Sequence, residues 1–437
     1  MTELLFTDLG LAEPVQRAVQ ARNHTTPTPI QAQAIPKLLK GRDMLGIAQT
    51  GTGKTAAFAL PILSRMAHNP PPKRGRRHIR SLILAPTREL AIQIGDEIQA
   101  YAKTQRLFQA VIFGGVSQKP QVEKLKRGVD FIIATPGRLL DLMNQGYMDF
   151  SQLDTVVLDE ADRMLDMGFV HDVRKIIKVL PERRQSLLFS ATMPGDIASL
   201  SKEFLTDPVR VEVTPPSTPV DRIVQTVHHV EKGMKQKLLG EILADRAFAK
   251  VIIFTRMKHR ANRVAEFLEK SGIAAAAIHG NKSQGARQRA LKAFKDGAIR
   301  ALVATDIAAR GIDIDGITHV INFELPNEPE SYVHRIGRTA RAGAAGAAVA
   351  FCDASERAYL RDIEKLTGIR LTVVGGGVVD MSTRGREAGG LPSTPSGAPQ
   401  KKRRRRRRGQ NSSLREARAP AEPNFGRVPA VSHTGRL

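Results

Sequence analysis

Residues 43–55 read Asp-Met-Leu-Gly-Ile-Ala-Gln-Thr-Gly-Thr-Gly-Lys-Thr, and the helix-patterned run 56–63 follows. The apolar 43–47 predicts a strand, 48–53 a glycine-rich loop, and the remainder a helix; this strand–loop–helix order is the setting of a phosphate-holding P-loop. Gly51 and Gly53 permit turns that a Cβ would block, so the N–H groups of Ala48, Gln49, Thr50 and Thr52 can converge on an oxyanion at a helix N-terminus. Lys54 is placed to reach terminal phosphates and the Thr55 hydroxyl to ligand Mg²⁺. Ala48 stands where the strict pattern has Gly. Taken alone, the string also fits a turn that only caps a helix.

Short apolar runs continue on both sides of this unit. Strands are predicted at 81–85, 109–113, 130–133, 154–158 and 186–189, with helices between them at 88–102 and 170–179. Runs that are apolar nearly throughout, separated by helix-length segments, form parallel sheets covered on both faces, and such sheets bind ligands at the carboxyl ends of their strands. Residues 206–222 contain four prolines and read as a strand end followed by a linker. The alternation then restarts at 224–229, 250–254, 274–278, 300–304, 318–322 and 346–351. The expected organisation is a first α/β domain over 1–210, a linker over 211–222, a second α/β domain over 223–374, and a tail over 375–437. Gly, Ser, Pro and Arg dominate the tail, and too few apolar residues remain there to offset the entropy of ordering, so it is expected to be disordered.

Charge narrows the partner. The 437-residue chain carries a formal net charge of +24, of which 14 Lys/Arg against 3 Asp/Glu lie in 381–437. The body is therefore basic without its tail, which favours a polyanion such as nucleic acid. The run 401–408 is either a solvated, self-repelling tail or a salt-sensitive RNA tether. No apolar run approaches the ~20 residues of a membrane span and Met1–Gly10 has no signal pattern, so a cytoplasmic protein is expected, with no membrane partner. A single cysteine, Cys352, rules out an intramolecular disulfide and a cysteine-rich zinc site.

Asp159-Glu160-Ala161-Asp162 directly follows the strand 155–158. Carboxylates emerging there, near the phosphate loop, suit a nucleotide-bound Mg²⁺ held by Asp159 and a water oriented by Glu160. In isolation the string is equally a favourably charged helix N-terminus.

With these motifs in view the chain resembles the DEAD-box RNA helicases over residues 6–343. Pro27–Gln31 with Phe6 resembles the Q motif. Next come Ala48–Thr55, Pro86–Ala91, Gly114-Gly115, Thr135–Arg138, Asp159–Asp162, Ser190–Thr192, Phe254–Arg256, Gln284–Arg287, Ala304–Asp313 and His334–Arg341. His279–Gln284 and the basic tail look most like the bacterial RhlE-type branch. The resemblance implies two tandem RecA-like doubly wound parallel-sheet domains with ATP and Mg²⁺ between them. It assigns Gln31 to adenine, Asp313 to the ribose, and Arg338 and Arg341 to charge developing on the γ-phosphoryl. It gives RNA backbone contacts to Arg88, Gly115, Thr135 and Arg138, and to Arg256, Gly280, Arg287 and Thr305. Coupling between the ATP and RNA sites falls to Asp162, Ser190, Thr192 and His334, although Ser190 and Thr192 also fit a polar strand end satisfying its own backbone. With no Trp and four Tyr, base stacking is poorly supplied and sequence-insensitive contacts fit better. The expected partner is RNA, with the ribosome or RNA-degradation machinery as larger assemblies, and the expected state is a monomer.

Two residues depart from the family pattern. His24 stands where an aromatic that stacks on adenine is usual, and Ala340 where Gly is usual; Ala340 is silent unless its backbone needs φ > 0. Two other functions stay open at this point, a DNA-translocating ATPase and an ATP-gated RNA clamp that holds without unwinding.

Overall fold

The computed structural model describes residues 4–49, 51–70, 77–213, 223–309, 314, 316–340 and 346–374. Thr50, Asp313, Arg341, most of the expected linker and the whole expected tail lie outside these residues.

Seven strands form the first sheet: β1 Met44–Ile47, β2 Ser81–Leu84, β3 Gln109–Ile112, β4 Phe131–Ala134, β5 Thr155–Leu158, β6 Gln185–Ser190 and β7 Val209–Glu212. The second sheet contains β8 Ile223–His229, β9 Val251–Phe254, β10 Ala275–Ile278, β11 Ala301–Ala304, β12 His319–Asn322, β13 Gly346–Cys352 and β14 Thr372–Val373. Every recorded pairing is parallel. The orders are β3-β4-β2-β5-β6-β1-β7 and β10-β11-β9-β12-β13-β8-β14. Counted from its own first strand, each half therefore has the same 3-4-2-5-6-1-7 order, a repeat of topology where the sequence shows only a repeat of pattern. The expected fold class, tandem RecA-like α/β, is the one observed.

Burial explains the strand composition. Strands β2, β4 and β5 are buried at all four positions, because helices cover both faces. Ile83, Val157, Leu187 and Phe189 join the apolar layer containing Phe58 and Ile94. Their neighbours Leu84, Val156, Leu158 and Leu188 face the opposite layer with Leu139 and Ile176, as the period of two requires. Strand β7 runs to Glu212, because Val211 is buried against β1 as the edge strand pairs.

Candidate nucleotide cleft and domain interface

Strands β1, β2, β5 and β6 end side by side, and the motif residues leave the sheet at those ends. The Ala48 N–H donates to the Ser190 carbonyl at 3.0 Å and the Asp159 N–H to Leu84 at 2.9 Å. Lys54 opens the helix Lys54–His68, and its buried Nζ turns back to donate to the Ala48 carbonyl at 3.0 Å, beneath the loop. Gly53 caps that helix at φ 90°, and a Cβ there would lie 2.4 Å from Gln31 Nε2. The left-handed φ favours glycine, and a Cβ would also push the Gln31 amide aside.

The contact also shows what Gln31 does. Its Oε1 accepts the Thr28 N–H at 2.9 Å, and its Nε2 donates to the Gly53 carbonyl at 3.1 Å. The amide ties the Q-motif helix, Pro29–Leu39, to the phosphate loop. One N–H and one lone pair are left over, the pair an adenine edge needs.

A cavity of about 470 Å³ lies over this loop, lined by His24, Gln31, Gly51, Gly53, Lys54 and Thr55, by Asp159 and Glu160, and by Arg338 from the second half of the chain. The size suits a nucleotide. Burial and the nearby Arg22 lower the His24 pKa, so its imidazole is neutral at pH 7. Burial pushes the Asp159 carboxyl up to about 6; the Lys54 ammonium opposes that rise and Glu160 adds to it. Glu160 itself sits in the left-handed region at φ 52°, donating its N–H to Asp159 Oδ1 at 3.0 Å. A glutamate held there is strained, as residues at reacting centres often are. Among the described residues no cluster of three or more His, Cys, Asp or Glu could hold a metal alone. The oxygens of Thr55 and Asp159 fit Mg²⁺ that takes its other ligands from phosphate and water.

Sequence reasoning missed one wall. Leu90, Gln93, Glu97 and Tyr101 of the helix Arg88–Tyr101 also line the cavity. Their spacing of three and four, on the flank of the apolar Ile94–Ile98 face, was the available signal.

Arg338 follows the helix Pro329–Ile336 and is itself buried. Its base is fixed by Thr339, whose hydroxyl donates to the Ile317 carbonyl at 2.6 Å. Preceding it, the fully buried Arg335 makes a bidentate pair with Asp306 at 2.6 and 2.7 Å and donates to Asn322 at 3.0 Å. Arg335 is thus a packing arginine whose fork geometry locks this turn. Ala340 lies at φ 55°, so its methyl is strained where glycine would not be. Ala340→Gly is expected to stabilise the protein by up to ~1 kcal/mol, raising the melting temperature by about 2–4 °C. A thermal melt showing no rise contradicts this.

The coupling residues meet in part. Asp162 Oδ2 accepts the Ala191 N–H at 3.2 Å, the Thr192 N–H at 3.0 Å and the Thr192 hydroxyl at 3.1 Å. Ser190 Oγ accepts the Asp162 N–H at 3.3 Å and donates to the Thr192 carbonyl at 2.7 Å. The strand end thus bonds to Asp162 and also satisfies its own backbone. His334 lines a small cavity with Asp306, Arg335, Arg338 and Arg163, the residue that follows Asp162.

Of the residues assigned to RNA, Arg88, Gly115 and Arg138 converge. A Cβ on Gly115 would lie 2.2 Å from the Arg88 guanidinium, and Arg138 donates to the Val116 carbonyl at 3.4 Å. Burial lowers the Arg88 pKa, and the cations Arg287 and Arg138 add to the effect against Glu89. Arg287 is engaged across the chain: its Nε lies 2.9 Å from Glu89 Oε1 as an ion pair without hydrogen-bond alignment. Gln284 joins it, donating to Glu89 at 3.0 Å and accepting from Arg88 at 3.4 Å. Arg256 is held by Glu356 at 3.2 Å and Asn327 at 3.1 Å. Thr135 and Thr305 stand at the starts of the helices Pro136–Asn144 and Asp306–Ala309, and Gly280 follows β10.

Two α/β units with a phosphate loop in one and an arginine from the other in a single cleft define a two-domain nucleoside triphosphatase. Residues 28–200 match the DEAD/DEAH box helicase family and 234–343 the helicase conserved C-terminal domain. A Bacillus cereus protein named DEAD-box ATP-dependent RNA helicase CshA is 41% identical over 382 residues, 87% of this chain and 72% of that protein. The Bacillus subtilis protein of the same name is 43% identical over 364 residues, covering 83% and 72%. The structure of S. cerevisiae Dbp5 bound to RNA and ADP BeF3 superimposes with a TM-score of 0.74 at 32% identity, covering 85% of this chain and 95% of that one. The chain belongs to the DEAD-box ATP-dependent RNA helicases. No helix among the described residues is long and apolar enough to cross a membrane.

Proposed function

We propose that this helicase closes its two halves on ATP and single-stranded RNA, displacing one strand of a short duplex, and reopens after hydrolysis to ADP and phosphate. The observation that carries this reading is Arg338, which lines the same cavity as Lys54 and Glu160. Hydrolysis chemistry in that cleft needs both halves, so whatever holds them together governs turnover. RNA bound across Arg88, Arg138 and the second-half residues does so, and ATP and RNA then tighten each other by the same factor.

Within the cleft, Gln31 and His24 take the adenine, and the loop N–H groups with Lys54 take the phosphates. Thr55 and Asp159 hold Mg²⁺, which neutralises phosphate charge. Glu160 orients the attacking water and accepts its proton. Arg338 and Arg341 meet the charge developing on the transferred group, and Asp313 the ribose. Asp162 links these events to the Ser190–Thr192 turn. The Arg287–Glu89 pair is the contact that RNA phosphates compete with or reinforce as the halves close.

Placement in the RhlE-type branch rests on His279–Gln284 and the basic tail; the Bacillus relatives carry the name CshA. A monomeric cytoplasmic protein that acts on RNA of the ribosome or the degradation machinery fits the same reading. The test is ATPase stimulation by RNA against matched single-stranded DNA. Stimulation by RNA alone is expected, and equal stimulation by DNA would overturn the substrate assignment.

A further inference from the structure

The same four strands that carry the nucleotide cleft at their carboxyl ends carry a second cleft at their amino ends. Its cavity of about 660 Å³ is lined by residues just before β1, β2, β5 and β6, together with the last turn of the helix Lys54–His68. A four-residue strand spans ~13 Å, so the two clefts lie on opposite edges of one thin sheet.

This second cleft contains Arg65, Arg80, Arg183 and Arg184 against one lining carboxylate, Asp154. Arg80 uses that carboxylate, at 3.2 Å, and donates to the Asn69 carbonyl at 2.8 Å. Among the described residues the Arg65 guanidinium donates to the Thr155 hydroxyl, at 2.5 Å, and has Asp154 as a nearby carboxylate without an ion-pair contact. Arg184 donates to the Pro181 carbonyl, while its buried Nε has no hydrogen-bond partner among the described residues. Arg183 is exposed at the rim. Burial lowers the pKa of both Arg65 and Arg184, and the nearby carboxylates Asp154 and Asp43 offset this only in part. Asp43 is spent on backbone, accepting the N–H groups of Ser186 and Thr206 at 2.8 Å each.

Gathering guanidinium groups in a concave, partly dried site costs free energy unless an anion shares it. Arginine forks match phosphate oxygens two at a time. We propose that this cleft binds phosphate groups, as a site separate from the nucleotide cleft. An RNA backbone and a free polyphosphate both supply that chemistry.

The experiment uses the full chain saturated with ADP, so that the nucleotide cleft is filled, and two probes: inorganic tripolyphosphate followed by thermal shift, and a single-stranded RNA followed by anisotropy at several salt concentrations. The variants are Arg183→Gln, the double variant Arg80→Gln/Arg183→Gln, and Lys270→Gln, which removes an exposed charge elsewhere. If RNA is the source, Arg183→Gln lowers affinity about 3–10-fold and the salt slope by about 1, whereas Lys270→Gln does not. If a free anion is the source, the tripolyphosphate shift at least halves while RNA affinity holds. Unchanged responses to both probes, or equal losses in Lys270→Gln, overturn the proposal. Arg183 is exposed, so its variant tests the site without disturbing the core.

Discussion

Arg338→Ala is expected to lower the RNA-stimulated kcat for ATP by ~10³–10⁵, the range that arginine fingers contribute in phosphoryl transfer, while nucleotide affinity changes far less. The side chain is buried and lines the cavity shared with Lys54 and Glu160, so its charge acts where water is scarce. Arg335 and Thr339 fix the turn that presents it, so the guanidinium is organised before reaction and costs little to align. Arg338→Lys keeps the charge but loses the planar fork, and is expected to recover only part of the rate. Steady-state ATPase kinetics with saturating RNA decides the point; a loss below tenfold removes Arg338 from the transition state.

The second large effect is at Glu160. Glu160→Gln preserves shape and the backbone N–H bond to Asp159, but its amide cannot accept a proton from water. A kcat loss of ~10²–10⁴ is expected, the usual contribution of a positioned general base. ATP and RNA should still bind, leaving a complex that stays closed. Single-turnover hydrolysis alongside equilibrium binding separates the two effects. Normal RNA-stimulated turnover in this variant would assign the water to another residue.

Much of the fold was legible because its central strands are buried on both faces and so read as unbroken apolar runs, as at 81–84 and 155–158. Of the four edge strands, β3 and β10 were also read as apolar runs, β7 only as a strand end before the linker, and β14 not at all. In β7, Val-Arg-Val-Glu alternates in burial, and both residues of β14 are exposed; pairing with a neighbour, rather than composition, makes them strands. The phosphate loop and the acidic string were legible because their chemistry is local. Contacts that join distant segments were not. Gln31 carried a signal for adenine but none for the Gly53 carbonyl it also grips, and no local pattern pairs Glu89 with Arg287. The backbone of Ala340 was undecidable from the residue alone, since only the surrounding turn sets its φ. The arginines of the amino-end cleft are scattered from 65 to 184 and converge only through the sheet.

In the proposed cycle, turnover in one cleft built from both halves drives strand separation. The direct test follows a labelled short RNA duplex with the wild-type chain, ATP and excess competitor strand, beside Glu160→Gln. ATP-dependent strand release over many turnovers is expected for the wild type, and little sustained release for the variant. RNA-stimulated hydrolysis without any strand release would contradict this cycle and leave an ATP-gated clamp.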